Sequence, residues 1–389
     1  MALKKKRPES RLMIRLQSSK YGIYIFWLSI LLIFLLLLML TIGVIIPMIE
    51  KAKEEEDPIV LNEFITADSA QPEGSSSFKD LSDLQYDAQI EFARINDPYI
   101  HGEEIVYSTG ETKDGSFKYT RLMVFNTASG TSKEIENIEC KYDNIINCLI
   151  SPEFIVYIDS CADAGGRIMG YDRTKGEAFL IKEFLYAAPK LSLSGNILAF
   201  MQQTGDFADK LYVYDLATRE SVCLKTFRSE STFPSPAAIC DGRVIYAAHK
   251  YEEGKLTSSL IQFNLSGGTE KMTAVPHYAA SPKTNGKHTI YLAGEPGAQN
   301  ELWLVESNGD ISMITDGVLN CDIGDGFAAY TKDGAVYAYV FDTKMTYKLS
   351  SELTRGLLVC VNHSQVCWYD VTSGFGDIDM VKYAAADFS

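Results

Sequence analysis

The residues of this chain whose types could do chemistry are five histidines, eight cysteines and a scatter of Asp-Gly turns. The histidines are His101, His249, His277, His288 and His363. His277 and His288 fall in one stretch, and His249 ends a strand-like run in the stretch before. With carboxylates they could build a metal or acid/base site, but they lack spaced partners, and isolated loop histidines are more often ordinary. The turns TKDGS (112–116), SNGDIS (307–312) and TKDGAV (331–336) offer oxygens that Ca²⁺ could use, yet each holds too few carboxylates for a cage. They read as hairpin turns. No G-x-S-x-G elbow, phosphate-cradling glycine loop, H-E-x-x-H or EF-hand loop occurs, so no catalytic, cofactor-binding or metal-binding residue is assigned and no cofactor is expected.

The cysteines are Cys140, Cys148, Cys161, Cys223, Cys240, Cys321, Cys360 and Cys367, with no C-x-x-C spacing among them. Cys148 (NCLI) and Cys321 (NCDI) hold equivalent places just before a strand-like run, which suits small buried strand residues. Cys360 and Cys367 differ. In LLVCVNHSQVCWYD a turn centred on His363-Ser364 pairs Val361 with Val366 and Cys360 with Cys367. Directly opposed strand residues are close enough for a bond if the rotamers cooperate. Two states stay open, a disulfide or two buried thiols.

The elements that position these residues follow from composition and charge. With 46% hydrophobic and 22% charged residues the 389-residue chain is an ordinary folding sequence, and its 22 Tyr and 19 Phe favour strands. Residues 1–20 carry seven Lys or Arg against Glu9 alone, residues 21–49 carry no charge, and the net −15 therefore leaves −21 for everything from Glu50 onward. Such a surface repels phosphate backbones, so a nucleic-acid partner is not expected.

The run Tyr21–Ile49, YGIYIFWLSILLIFLLLLMLTIGVIIPMI, exceeds the ~20 apolar residues that cross a bilayer. Tyr21, Tyr24 and Trp27 stand where amphipathic rings prefer the headgroup level. A cleaved signal peptide would have an apolar core of only ~7–15 residues and a small-residue cleavage site; here the run ends in Pro47-Met48-Ile49-Glu50. The reading is an uncleaved signal anchor in the membrane bilayer. Lys/Arg on the N-terminal flank and EKAKEEED on the other predict a cytoplasmic N-terminus and an extracytoplasmic C-terminal domain. Residues 50–86, acidic and then rich in Ser, Pro and Gly, read as a stalk, and 87–389 as the ectodomain.

That ectodomain repeats. The runs IVYS (105–108), IVYI (155–158), ILAFM (197–201), VIYAA (244–248), TIYLA (289–293), FAAYT (327–331) and LLVCV (357–361) start at intervals of 50, 42, 47, 45, 38 and 30 residues. Each leads into a second run ending in Asp or Asn and a Thr/Ser/Gly turn, such as RIMGYDRTKG (167–176) or KLYVYDLATRE (210–220). Asp and Asn end strands because their side chains bond the backbone two residues on. A period of about 40–50 residues with four short strands per unit belongs to β-propeller blades. The expectation is an all-β propeller of six to eight blades, seven preferred, closed by pairing Ala88–Ile95 with the C-terminal strand at Ile378–Ala384.

The unit LSLSGNILAFMQQTGDFADKLYVYDLATRESVCL (191–224), with SPEFIVYI (151–158) and ASPKTNGKHTIYLAG (280–294), resembles the TolB-like and WD40-like propeller repeats of bacterial envelope proteins. No unit holds a full Ser-Pro-Asp-Gly. The resemblance, over about residues 87–389, implies a binding or scaffolding surface around the central channel. The expected function is thus a non-enzymatic binding, sensing or scaffolding module with a protein, peptide or glycan partner on the propeller face. The alternatives are an envelope hydrolase or lyase with a carboxylate site in the channel, and a purely structural subunit of a membrane complex.

Overall fold

The computed structural model describes residue 28 and residues 79–80, 86–88, 94–161, 165–204, 208–228, 235–252, 255–295, 298–350, 355–371 and 379–385. The chain divides into a unit Met1–Glu73 and a unit Gly74–Ser389. The basic tail and, Leu28 apart, the expected anchor with Tyr21, Tyr24 and Trp27 lie outside the described residues. Among the described residues no helix is long and apolar enough to cross a membrane.

The second unit holds every strand among the described residues. The first two are short: β1 (Lys79–Asp80) and β2 (Tyr86–Ala88). Then come blade 1, β3 (Asn96–His101), β4 (Glu104–Lys113), β5 (Ser116–Asn126) and β6 (Thr131–Glu134), and blade 2, β7 (Ile145–Ile150), β8 (Phe154–Cys161), β9 (Gly165–Asp172) and β10 (Glu177–Phe184). Blade 3 is β11 (Leu191–Ser194), β12 (Ile197–Gln203), β13 (Ala208–Asp215) and β14 (Glu220–Arg228), and blade 4 is β15 (Ala238–Cys240), β16 (Arg243–Glu252), β17 (Lys255–Asn264) and β18 (Thr269–Val275). Blade 5 is β19 (Ala279–Thr284), β20 (Thr289–Glu295), β21 (Ala298–Val305) and β22 (Ile311–Thr315); blade 6 is β23 (Val318–Ile323), β24 (Phe327–Lys332), β25 (Ala335–Val340) and β26 (Met345–Lys348). Blade 7 has β27 (Arg355–Asn362), β28 (Gln365–Val371) and β29 (Asp379–Ala385).

Each blade is an antiparallel meander, and the first strands touch one another in sequence from β3 round to β27, which touches β3 again. That closed circuit makes a seven-bladed β-propeller with the first strands lining a central channel. Six of the seven recurring apolar runs are second strands and form the core. The seventh, LLVCV (357–361), lies instead on β27, the first strand of blade 7, where Val359 and Val361 are themselves buried against blade 6, and that blade's second strand carries VCWYD (366–370). Seven hydrophobic clusters fill the seven gaps between neighbouring blades. One aromatic per second strand anchors each gap: Tyr107, Tyr157, Phe200, Tyr246, Tyr291, Tyr330 and Trp368 are all buried.

The Asp/Asn turns behave as their chemistry requires. Asp172 Oδ1 accepts from the Thr174 and Lys175 N–H groups, Asp215 Oδ1 from Ala217 and Thr218, and Asn264 Oδ1 from Ser266. Four residues after the Asx residue the backbone turns left-handed, at Gly130, Gly176 and Gly268, where glycine carries no steric penalty. Arg219 takes that place in blade 3 at φ 65°. Its guanidinium lies over the Phe179 ring of blade 2 and reaches Asp172, contacts that offset the backbone cost.

The ring is closed by joining the chain ends. β2 pairs antiparallel with β29, Tyr86 opposite Tyr383 and Ala88 opposite Val381, as the outermost strand of blade 7. The C-terminal partner is the expected one; on the N-terminal side the pairing spans Tyr86–Ala88, so of the expected Ala88–Ile95 only Ala88 is seen paired, Arg94 and Ile95 are not in a strand, and residues 89–93 lie outside the described residues. Because β3 already lies beside the channel at Asn96, the rim strand cannot run on as far as Ile95. In addition β1, inside the stretch read as stalk, pairs in parallel with β26 as a fifth strand of blade 6. Deleting residues 379–389 removes the strand to which β2 is joined and uncovers the gap between blades 7 and 1, where Val381 is buried. The truncated chain is expected to lose its cooperative melting transition and to be cut by trypsin within blade 7, measured beside the intact chain.

Candidate functional site

The channel is the place where residues from all seven blades meet. In each blade the residue before the core aromatic on the second strand is paired with one first-strand residue, which defines an equivalent position around the ring. These are Tyr99 opposite Val106, Leu149 opposite Val156, Ser192 opposite Ala199, Ala238 opposite Ile245, Lys283 opposite Ile290, Asp322 opposite Ala329 and Cys360 opposite Cys367. Blades 2 to 4 contribute small or apolar side chains to this layer, whereas blades 5, 6, 7 and 1 contribute Lys, Asp, Cys and Tyr. The ring is therefore chemically one-sided.

First strands in a propeller have an inner edge that no strand of their own sheet can pair, so their N–H groups need partners from elsewhere. Neighbouring blades supply several. Asp97 Oδ2 accepts from the Asn147 N–H at 2.7 Å, Ser192 Oγ from the Ile239 N–H at 3.0 Å, and Asp322 Oδ2 from the Val361 N–H at 2.8 Å. Ser258 Oγ accepts from the Ala279 N–H at 3.2 Å across blades 4 and 5. In blades 1, 2, 5 and 7 the first strand carries a bulge just before the ring position. Its left-handed residues are Asp97, Asn147, Ser281 and Leu358, and the bulge re-aims the edge groups toward the next blade.

Asp322 is the centre of this belt. Its Oδ1 takes the Lys283 ammonium at 2.9 Å and the Ile323 N–H at 3.0 Å, while Oδ2 takes Val361, so one carboxylate joins blades 5, 6 and 7. Lys283 is pushed toward deprotonation by burial, but Asp322 outweighs this and raises its pKa, so the ammonium persists. Burial, with Cys360 and Asp322 adding to it, holds the Tyr99 phenol well above its ordinary range, so it stays a hydroxyl. A carboxylate with both oxygens engaged is poorly placed to serve as a general acid, base or nucleophile. Asp97 is engaged through Oδ2 alone.

The five histidines do not converge on one place, although His101 and His363 are neighbours at the junction of blades 1 and 7. Hairpins between second and third strands, and the connections from blade to blade, fall on one face; first-to-second turns fall on the other. His249 and His277 lie toward the first face, His101, His288 and His363 on the second. His249 Nδ1 meets Ser258 Oγ at 2.8 Å and its ring stacks on Tyr278 at 4.4 Å, while His277 packs on Trp303 at 4.0 Å. His288 packs on Phe341 at 4.4 Å. His363 Nδ1 lies 3.2 Å from Asp325, but this pair stands in solvent at the channel mouth, 70% and 69% exposed. Among the described residues no group of three His, Cys, Asp or Glu is arranged to hold a metal ion. The Asp-Gly stretches TKDGS and TKDGAV sit on tight hairpins, β4–β5 and β24–β25, with Asp114 and Asp333 left-handed before their glycines.

Cys360 and Cys367 are opposite one another on β27 and β28, both buried and both free thiols. Tyr99, Lys283 and Asp322 were not singled out by sequence reasoning, because a lone polar residue in a strand carries no motif. Aligning the seven first strands on the following aromatic would have found them.

Two expectations follow. Asp322→Ala leaves the Val361 N–H and the Lys283 ammonium without their acceptor; with Lys283 a third exposed, the cost should be about 2 kcal/mol, and Asp322→Asn should cost less, both read from urea unfolding midpoints. Burial lowers His249 to about 4 and also lowers His277 and His288. The unfolded chain takes up these protons near its ordinary ~6.5, so stability present above that pH is lost as pH falls toward 4. The melting temperature should drop over this window, and His249→Asn should flatten the drop.

No protein-family model and no curated protein matches the chain. Among solved structures, the β-propeller domain of the Trilobed protease from Pyrococcus furiosus superposes with a TM-score of 0.59 at 14% identity, over 77% of this chain and 97% of that one. Oligogalacturonate lyase from Vibrio parahaemolyticus gives 0.52 at 11% identity, over 77% and 93%. TolB from Acinetobacter baumannii gives 0.44 at 16% identity, over 65% of each chain, too loose a superposition to argue from. At these identities the likeness is one of fold alone, and what the chain shares with the Pyrococcus furiosus domain is the β-propeller.

Proposed function

We propose that this chain is a non-enzymatic binding module, anchored in the membrane by residues 21–49, whose acidic propeller faces the extracytoplasmic side and holds a protein, peptide or glycan partner. The observation that carries the reading is the state of the channel carboxylates. Asp322 is engaged through both oxygens and Asp97 through Oδ2, in bonds that join neighbouring blades. A hydrolase or lyase would need a carboxylate or imidazole free to move a proton inside a sheltered channel. The His363–Asp325 pair is instead open to water at the mouth. The anchor rests on the uncharged 29-residue run and its basic flank.

The −21 carried beyond Glu50 favours a partner with a cationic surface, and salt should weaken that contact. The test is capture of partners by the tagged full-length chain from solubilised membranes of its own source, at low and raised salt. A stoichiometric partner that elutes as salt rises is expected. Recovery of the chain alone, together with turnover of peptide or glycan substrates abolished by Asp322→Asn, would overturn the reading. Protease accessibility of a C-terminal tag in intact cells checks the orientation; a protected tag would contradict it.

A further inference from the structure

We propose that Cys360 and Cys367 form a cross-strand disulfide, an oxidisable covalent clasp in the blade that joins the two ends of the ring. This goes beyond the binding role and does not depend on it.

The two residues are exact partners in the β27–β28 register, flanked by Val361 opposite Val366 and Asn362 opposite Gln365. Opposed residues of an antiparallel pair have Cα atoms about 4.5–5.5 Å apart, inside the span of about 4.4–6.8 Å that a disulfide bridges. Among the described residues this is the one register-matched cysteine pair: Cys161 faces Gly165, Cys223 faces Tyr212, Cys240 faces Arg243 and Cys321 faces Tyr330.

Placement gives the bond a consequence. Cys360 and Cys367 lie in the gap between blades 7 and 1, packed with Ile100, Phe125 and Val381. That gap is complete only when β29 is in place and joined to β2. Until then the hairpin is open to an oxidant; afterwards both sulfurs are covered, 6% and 0% exposed. Burial also pushes the Cys360 thiol up, so reaction in the closed ring is slow and proceeds through local opening.

The step balances with a low-molecular-weight disulfide such as oxidised glutathione. One cysteine thiolate attacks it, forming a mixed disulfide and releasing one glutathione thiolate. The second cysteine thiolate then attacks the protein sulfur of that mixed disulfide and releases the other. The two cysteine protons end on the two released glutathiones; the cysteines are oxidised and the glutathione disulfide is reduced.

The full-length chain is incubated with excess oxidised glutathione in sub-denaturing urea, its remaining thiols are alkylated after denaturation, and its peptides are mapped without reductant. The expected product is an internal Cys360–Cys367 link, lighter by two hydrogens and free of alkyl groups, with a melting temperature above that of the reduced chain. In Cys360→Ser the Cys367 thiol should be recovered alkylated or glutathionylated, and the oxidation-dependent rise in melting temperature should vanish. Both cysteines alkylated in the unmodified chain, either one linked to a third cysteine, or an oxidised chain melting no higher than the reduced one would overturn the proposal. The mapping on the unmodified chain stands even if the variant does not fold.

Discussion

The inner edge of each blade sets the terms for the whole molecule. A first strand pairs on one side with its own second strand and on the other with nothing, so seven rows of backbone groups face a narrow channel. Leaving such donors unmet in a buried place costs about 1–3 kcal/mol each. The chain meets the demand with short polar side chains from the blade before, Asp97, Ser192 and Asp322, and with Ser258 from a third strand. Each of these bonds joins two blades, so satisfying the backbone and holding the ring together are the same act. The apolar gaps supply most of the burial, but they are non-directional and would tolerate sliding; the polar belt fixes how one blade is set against the next.

That division of labour shapes the chemistry that is left. Asp97 and Asp322 near the channel bond across blades, and Asp159 bonds in a comparable way farther out. It is fully buried and takes the N–H groups of Lys141 and Tyr142 at 2.7 and 2.9 Å and the Arg167 guanidinium at 2.6 Å. It thereby pins the connection from blade 1 to blade 2 against blade 2. Asp172 does comparable work in a turn: burial opposes its ionisation, but hydrogen bonds from Lys175 and Thr174 outweigh this and hold it at about 2. Asp322, Asp159 and Asp172 thus each accept several hydrogen bonds from nearby donors.

Some of this was legible in the residues alone, and some was not. The second strands could be read because a buried strand between two blades demands β-branched and aromatic residues, and IVYS, IVYI, VIYAA and TIYLA say so locally. The Asx turns at Asp172, Asp215 and Asn264 could be read for the same reason: the side chain bonds its own neighbours, within three residues. Both signals are short-range, and their repetition was enough to narrow the ring to six to eight blades, with seven preferred, and to place Cys360 opposite Cys367 across a two-residue turn.

Tertiary structure alone decided which distant residues meet. Nothing near Asp322 in the chain announces Lys283 or Val361, and nothing in Tyr86–Ala88 marks it, rather than the more strand-like AQIEFARI, as the closing strand. His277 and His288 look like neighbours in sequence, yet a strand running through the blade between them sends them to opposite faces. The physical reason is common to all three. A strand's propensity and a turn's chemistry are set by contacts a few residues away, whereas the channel is made of one residue from each of seven blades, and only ring closure brings those together.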